Sequence, residues 1–387
     1  MPAPMKLLVV SHSCAEPSNQ RLFSEIQAIR DWEVSLIVPA NWHDEFGNIL
    51  DKPPHPGLMQ RTEKVPVFGN GKIILHVYLK AWEKFLRNNQ FDAIYVNHEP
   101  YALATAQVCQ ANLRLPKKAA FGFYSCQNIF KRYPLPFRWL ERKVYRSSQF
   151  AFPITPAVAE VLREKGFTRD VTVAPLPFDP AHYFQRGGAA NETLVPRQAR
   201  ETVIGFVGRI VDEKGLRTLA AALVSLSDLQ WKLVVIGTGS FEQEFRSLLS
   251  AGGVLDRCVF QGFVPHEETP RFLSAFDFLV LPSETQANWK EQFGRVITES
   301  LACGRPVIGS DSGEIPNLIR LSGGGLIFPE KNIVELAKAM RLMIITPSLR
   351  KECAMAGDSW VNQNVSLRAV AGRMASTIER ATGRCAN

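Results

Sequence analysis

The chain has 387 residues, and at roughly 150 residues per domain this points to two sizeable domains. Hydrophobic residues at 46% and charged residues at 21% exclude a disordered chain. The net charge of +8 is not spread evenly: positions 101–150 hold nine Lys/Arg against one acid, so the protein carries one basic segment rather than a generally basic surface.

In chain order, KLLVVS near the start is the first short apolar run. Its four consecutive apolar residues, Leu7 to Val10, are too few for a signal sequence. VSLIVP, DAIYVN, AAFGFYS and FAFPIT follow as strands, with helical patterns at about 19–30, 72–89, 101–112, 136–147 and 156–166. The stretch 177–200 is rich in Pro, Gly and polar residues and reads as a linker. Beyond it TVIGFVG, WKLVVIG, CVFQGFV, DFLVLPS and RPVIGS are strands, and helices are expected at about 215–226, 240–250, 268–275, 293–303 and 331–345. Strand–helix alternation in both halves predicts two α/β units built on parallel sheets, facing a cleft. The expected organisation is a first domain over 1–176, the linker 177–200, a second domain over 201–364 and a final segment 365–387. Seven cysteines, an odd number with no C-x-x-C pair, fit reduced thiols better than disulfides or zinc. With no apolar run of 18 or more residues, a cytoplasmic protein is expected.

Three stretches carry candidate chemistry. In VIGFVGRIVDEKG a strand ends at Gly208, with Arg209 next and Lys214 five residues on. Two cations there can grip a phosphate, or can simply be solvated charges on a turn. IGTGS, with Gly237 and Gly239, lacks the third glycine of a dinucleotide fingerprint. The segment 281–319 places Glu291 before a helix and Glu299 within it. Eight residues of helix separate their backbones by about 12 Å, beyond the roughly 5–9.5 Å of hydrolytic carboxylate pairs. Binding roles toward two parts of an extended ligand fit better, and two ordinary surface acids remain the plain alternative. The N–H groups of Phe293, Gly294 and Arg295 open that helix, a geometry suited to anions.

Together the GR-x4-K element, the Glu291–Glu299 spacing in EQFGRVITESLACGRPVIGSDSGEIP and the later GLIFPE resemble retaining GT-B glycosyltransferases of family 4. In the first half FDAIYVNHEPY and CQNIFKRYPLPFRWLERKVYR resemble the acceptor domain of its bacterial branch. The resemblance implies the GT-B fold of two Rossmann-like domains, with a final helix, about 365–381, crossing back onto the first domain. It also implies transfer of a sugar from a nucleotide-diphosphate-sugar to a glycan or lipid-linked acceptor, in surface polysaccharide or glycolipid assembly. It assigns Arg209 and Lys214 to the diphosphate, Glu291 to the donor sugar, and Phe293, Gly294 and the neighbouring Arg295 to the phosphate end. Glu299 falls to the ribose, while Gly237, Gly239 and Val264 shape the base and ribose pocket. On the acceptor or sugar side stand His98, Glu99, Gln127, Asn128, Lys131 and Arg132. Many relatives carry a Gly-Gly pair in the first loop, which SHSCAEPSNQRLF lacks, and a His-Asn pair where this chain has Gln127 and Asn128.

His98 by itself is equally readable as a structural histidine, and Glu99 as a carboxylate at a helix start. No cofactor and no metal are expected, because two cations and a helix start can meet the charge on a departing diphosphate and D-x-D is absent. The basic segment 114–146, with Tyr133, Phe137, Trp139 and Tyr145 among its cations, allows three readings. It is a helix with one packed and one solvated face, an interfacial helix on an anionic membrane, or a surface for an anionic acceptor. Nucleic acid is disfavoured, since the charge is confined to one segment. The rivals are a GT-B epimerase-type enzyme and a catalytically silent nucleotide-sugar binding protein.

Overall fold

Two parallel sheets organise the computed structural model, which describes residues 3–43, 47–79, 82–184, 194–195, 198 and 200–384. The chain divides into one unit of Met1–Pro177 with Leu367–Asn387, and a second of Phe178–Ser366. Half of the stretch read as a linker, residues 185–193, 196–197 and 199, lies outside the described residues, as does Cys385.

The first unit contains β1 (Lys6–Val10), β2 (Glu33–Pro39), β3 (Trp42–His43), β4 (Ile49–Leu50), β5 (Thr62–Val65), β6 (Val67–Phe68), β7 (Val77–Tyr78), β8 (Ala93–Val96), β9 (Ala120–Ser125), β10 (Phe150–Pro153) and β11 (Asp170–Val171). Its sheet runs β11-β10-β9-β8-β1-β2-β5, all parallel, and β3–β4 and β6–β7 form separate antiparallel pairs. Central strands such as AIYV, and KLLVV after its first residue Lys6, are apolar because helices cover both faces. These helices are α1 (Arg21–Arg30), α2 (Trp82–Asn88), α3 (Leu103–Leu113), α4 (Phe137–Ser147) and α5 (Pro156–Glu164).

The second unit adds α6 (Pro180–Phe184), β12 (Thr202–Val207), α7 (Leu216–Val224), β13 (Trp231–Ile236), α8 (Glu242–Ala251), β14 (Cys258–Gly262), α9 (Thr269–Leu273), β15 (Phe278–Leu281) and α10 (Arg295–Ala302). It continues with β16 (Val307–Ser310), α11 (Ile315–Ser322), β17 (Gly325–Phe328), α12 (Ile333–Ile345) and α13 (Pro347–Asn364). Its sheet is β14-β13-β12-β15-β16-β17, again all parallel. The last helix, α14 (Leu367–Thr382), belongs to the first unit. It buries Val370, Met374 and Ile378 against Phe23 and Ile26, and Glu379 meets Arg30 at 3.1 Å.

Both sheets reverse direction of growth once, between β1 and β8 and between β12 and β15. In open α/β sheets such reversals are where strand ends and their loops leave a crevice for ligands.

One expected helix, 72–89, is helical only from Trp82. Residues 73–75 form a turn and β7 follows. The reason is local: the Gln107 side chain accepts from the Tyr78 N–H at 2.9 Å and donates to the Tyr78 carbonyl at 2.7 Å. That satisfies the backbone of Tyr78 without a helix. The two-residue strands, β5 and α11 were also not anticipated, since short pieces carry little periodicity. α13, though 18 residues long, was missed too: it buries only Cys353, Gly357 and Val361, a weak apolar stripe.

Candidate functional site

The site in the second unit forms where three loops converge beside its switch point. After β12 the chain passes Gly208 and Arg209 to Gly215, whose backbone is left-handed at φ +66°. A Cβ on Gly215 would stand 1.9 Å from the Pro282 carbonyl oxygen, so only glycine lets the loops after β12 and β15 touch. The Glu284 N–H donates to the Glu213 carbonyl at 2.8 Å and fastens them. Gly237 and Gly239 serve the loop after β13 in the same way: a Cβ on either would strike the Gly208 or Ile210 carbonyl.

On this frame Lys214 Nζ meets Glu291 Oε2 at 2.6 Å, with each side chain 12% exposed. Ser283 donates its hydroxyl to the same oxygen at 3.0 Å, and the Trp289 ring centre lies 5.0 Å from the ammonium. Gly313 packs against the Glu291 backbone, where a Cβ would come within 2.0 Å of the carbonyl oxygen. Arg209 is 65% exposed and pairs only loosely with Glu213, at 3.3 Å. Phe293 is buried, and Gly294, left-handed at φ +70°, caps α10 without a side chain of its own. A helix start without a capping side chain leaves room for an anion.

Glu291 precedes α10, whereas Glu299 sits just over one turn inside it and is 6% exposed. Its Oε1 receives His266 at 2.8 Å and Arg295 at 2.9 Å. Burial pushes this carboxyl up, but the His266 hydrogen bond, the Arg295 charge and Tyr183 outweigh it and hold it below the usual range. Val264 is half-buried in the turn that leads from β14 to His266. The sequence reading missed Ser283, Trp289, His266 and Tyr183; the last lay inside the presumed linker, where only the isolated aromatic of AHYF was a signal.

In the first unit the equivalent crevice, after β1 and β8, holds a group of imidazoles. His98 is not alone: it stacks on His12 with ring centres 4.2 Å apart, and His76 lies 4.8 Å away. The His12 N–H donates to His98 Nε2 at 3.2 Å, and Trp42 packs 5.0 Å from both His12 and His76. Burial drives His12 down to about 3 and His98 well below its usual value, with neighbouring imidazoles adding to both. Glu99 accepts from the Cys126 N–H at 2.7 Å and the Ser125 hydroxyl at 2.8 Å, and burial raises its carboxyl. It therefore ties β8 to the end of β9 rather than capping α3, which begins at Leu103. Gln127 donates to the Ile129 carbonyl at 3.0 Å, and Asn128 is buried. Lys131 is half-buried and Arg132 exposed, apart from the imidazole group in sequence and contact. Among the described residues no group of three or more His, Cys, Asp or Glu side chains is placed to hold a metal ion.

Two α/β units with parallel sheets of this order define the GT-B fold. Sucrose-phosphate synthase from Thermosynechococcus elongatus superposes with TM-score 0.73 at 18% identity, over 98% of this chain and 100% of that one. Anabaena HepE, solved in complex with UDP, gives TM-score 0.73 at 17% identity over 97% and 100%. Residues 195–360, which lie within the second unit, match the family described as Glycosyl transferases group 1. In sequence the chain is 28% identical over 253 residues to 2-deoxystreptamine glucosyltransferase of Streptomyces kanamyceticus. That match covers 63% of this chain and 64% of the relative, just under two thirds of its length.

Proposed function

We propose that the chain is a retaining glycosyltransferase of family 4, moving a sugar from a nucleotide-diphosphate-sugar to a glycan or lipid-linked acceptor. The observation that carries the reading is the Lys214–Glu291 pair at 2.6 Å in a Glycosyl transferases group 1 domain. It sets a cation for the diphosphate beside a carboxylate for the sugar hydroxyls. Breaking the glycosidic bond to phosphate builds negative charge on the leaving diphosphate; Lys214, Arg209 and the amides opening α10 are arranged to receive it. In a retaining transfer of this kind the departing phosphate oxygen takes the acceptor proton on the same face, so no protein nucleophile is required.

The acceptor side is assigned to the first unit, and its basic surface supports a membrane-associated substrate. Leu135, Trp139 and Phe130 are 77%, 57% and 44% exposed, beside the exposed Arg132, Arg138, Arg142 and Arg146. The one acid there, Glu141, is turned inward onto Lys165 at 2.7 Å, leaving the outer face cationic. Exposed aromatics among cations suit an anionic lipid surface. No helix among the described residues is long and apolar enough to cross a membrane, so the association proposed is peripheral.

Thermal-shift measurement against UDP-, GDP-, ADP- and dTDP-sugars, followed by mass spectrometry of products, tests the reading. A donor at 100 times its dissociation constant adds about 2.7 kcal/mol. Stabilisation without turnover would identify a silent binder, and isomerised sugar released without acceptor an epimerase-type enzyme.

A further inference from the structure

Glu299 is a buried carboxylate served by three side chains from three elements. Arg295 lies one turn earlier on α10, an ordinary i,i+4 partner. The other two come from elsewhere. His266 belongs to the turn after β14, 33 residues distant in sequence, and is 45% exposed, yet its Nε2 reaches the 6%-exposed carboxylate at 2.8 Å. Tyr183 rises from α6, is itself buried, and brings its hydroxyl within 3.4 Å of the same imidazole nitrogen while hydrogen-bonding Glu299. An ionised carboxylate only accepts, so Nε2 of His266 carries a proton toward Glu299.

A glutamate has three rotatable side-chain bonds, and a carboxylate that must meet two adjacent hydroxyls has to hold one orientation. Freezing it before the ligand arrives removes that ordering cost from binding. We propose that His266, backed by Tyr183, is a positioning residue for the nucleotide. It fixes Glu299 in the orientation that receives the ribose hydroxyls of a nucleoside diphosphate. The proposal rests on the reading of Glu299 as the ribose carboxylate of a nucleotide-sugar site.

The test is a thermodynamic cycle on the ligand. Calorimetry compares UDP with 2′,3′-dideoxy-UDP on the intact chain and on His266→Ala, His266→Gln and Tyr183→Phe; GDP and its dideoxy form replace them if the wild type prefers guanine. His266→Ala should weaken UDP about tenfold while leaving the dideoxy ligand within about twofold, because the hydroxyls it serves are gone. His266→Gln, which can present an N–H at a similar reach, should recover most of the UDP affinity. With the sugar donor, KM should rise and kcat hold. Equal losses for both ligands, or no loss for either, overturn the positioning role. A wild type that binds UDP no better than the dideoxy form overturns the ribose assignment itself. A wild type that binds none of UDP, GDP, ADP and dTDP overturns the glycosyltransferase reading.

Discussion

The two units repeat one topology, yet their switch points hold opposite chemistry. In the second, charges are kept: Lys214 and Glu291 pair at 2.6 Å, and Glu299 is held ionised despite burial. In the first, charge is suppressed: three imidazoles pack together and are driven toward the neutral form, while burial raises the carboxyl of Glu99. Under the proposed function the second unit grips a dianionic diphosphate, which calls for fixed charges, and the first receives an uncharged hydroxyl, which is better served by neutral groups that cost less to desolvate. The fold supplies the place and the side chains set the sign.

The contrast breaks most severely at Lys214. Lys214→Ala should lower turnover by about 100–1000-fold, since removing one preorganised stabiliser of developing charge costs about 2.7–4 kcal/mol. It should also lower the melting temperature, because Glu291 is left mostly buried without its cation. Arg209→Ala should cut turnover but leave melting unchanged, as its side chain is 65% exposed. Near-wild-type turnover in both variants would falsify the diphosphate assignment.

A smaller effect separates the glutamates. Glu299→Ala should weaken the bare nucleoside diphosphate and the sugar donor alike, by about tenfold or more. Glu291→Ala should spare the bare nucleotide and damage transfer. Calorimetry giving equal loss of nucleotide affinity in both would show that the roles are not divided.

The neutral side is tested by acid. For His12, His76 and His98 the folded state holds fewer protons than the unfolded chain between the ordinary histidine value and the depressed one. Stability is therefore full above about pH 6.5 and falls as pH drops, by about 1.4 kcal/mol per pH unit for each histidine kept neutral. His98→Gln should flatten that dependence in denaturant melts between pH 4 and 7. An unchanged slope would show that the cluster is not what makes the fold acid-sensitive.

The strands and most helices were legible because near-continuous apolar runs such as LLVV in KLLVV and LVVI in WKLVVI fit strands covered on both faces. Arg209, Lys214, Glu291 and Glu299 were named from the sequence because their spacing, two cations after a strand and two glutamates eight apart, leaves a local mark. His12, His76, Tyr183 and His266 were not, since each gains its meaning from a partner 33 to 116 residues away. His76 was further hidden by a KIILHVYL run that mimics a helix until Gln107 claims the Tyr78 backbone. Burial of Glu141 against Lys165, which leaves α4 outwardly cationic, was equally invisible in a list of charges.

That surface gives the next expectation. The protein should sediment with vesicles containing anionic lipid at low salt and leave them at high salt, each nearby Lys or Arg contributing about 1 kcal/mol. Replacing Lys131, Arg132, Arg138, Arg142 and Lys143 with Gln should abolish the binding while sparing nucleotide affinity. Equal sedimentation with neutral vesicles, or none with either, would exclude an electrostatic membrane contact.

The smallest expected effect is none, and it bears directly on the charged side of the comparison. If Arg209, Lys214 and the amides opening α10 meet the whole charge of the leaving diphosphate, chelation should change the rate by less than about twofold. Magnesium, by contrast, needs few protein ligands and can enter already bound to phosphates. Activity measured after EDTA treatment, then with Mg²⁺ or Mn²⁺ restored, separates the cases. Full loss on chelation with recovery on either ion would mean that Lys214 shares its task with a cation. The Lys214→Ala penalty should then shrink as the ion concentration rises; with no ion involved, it should stay constant.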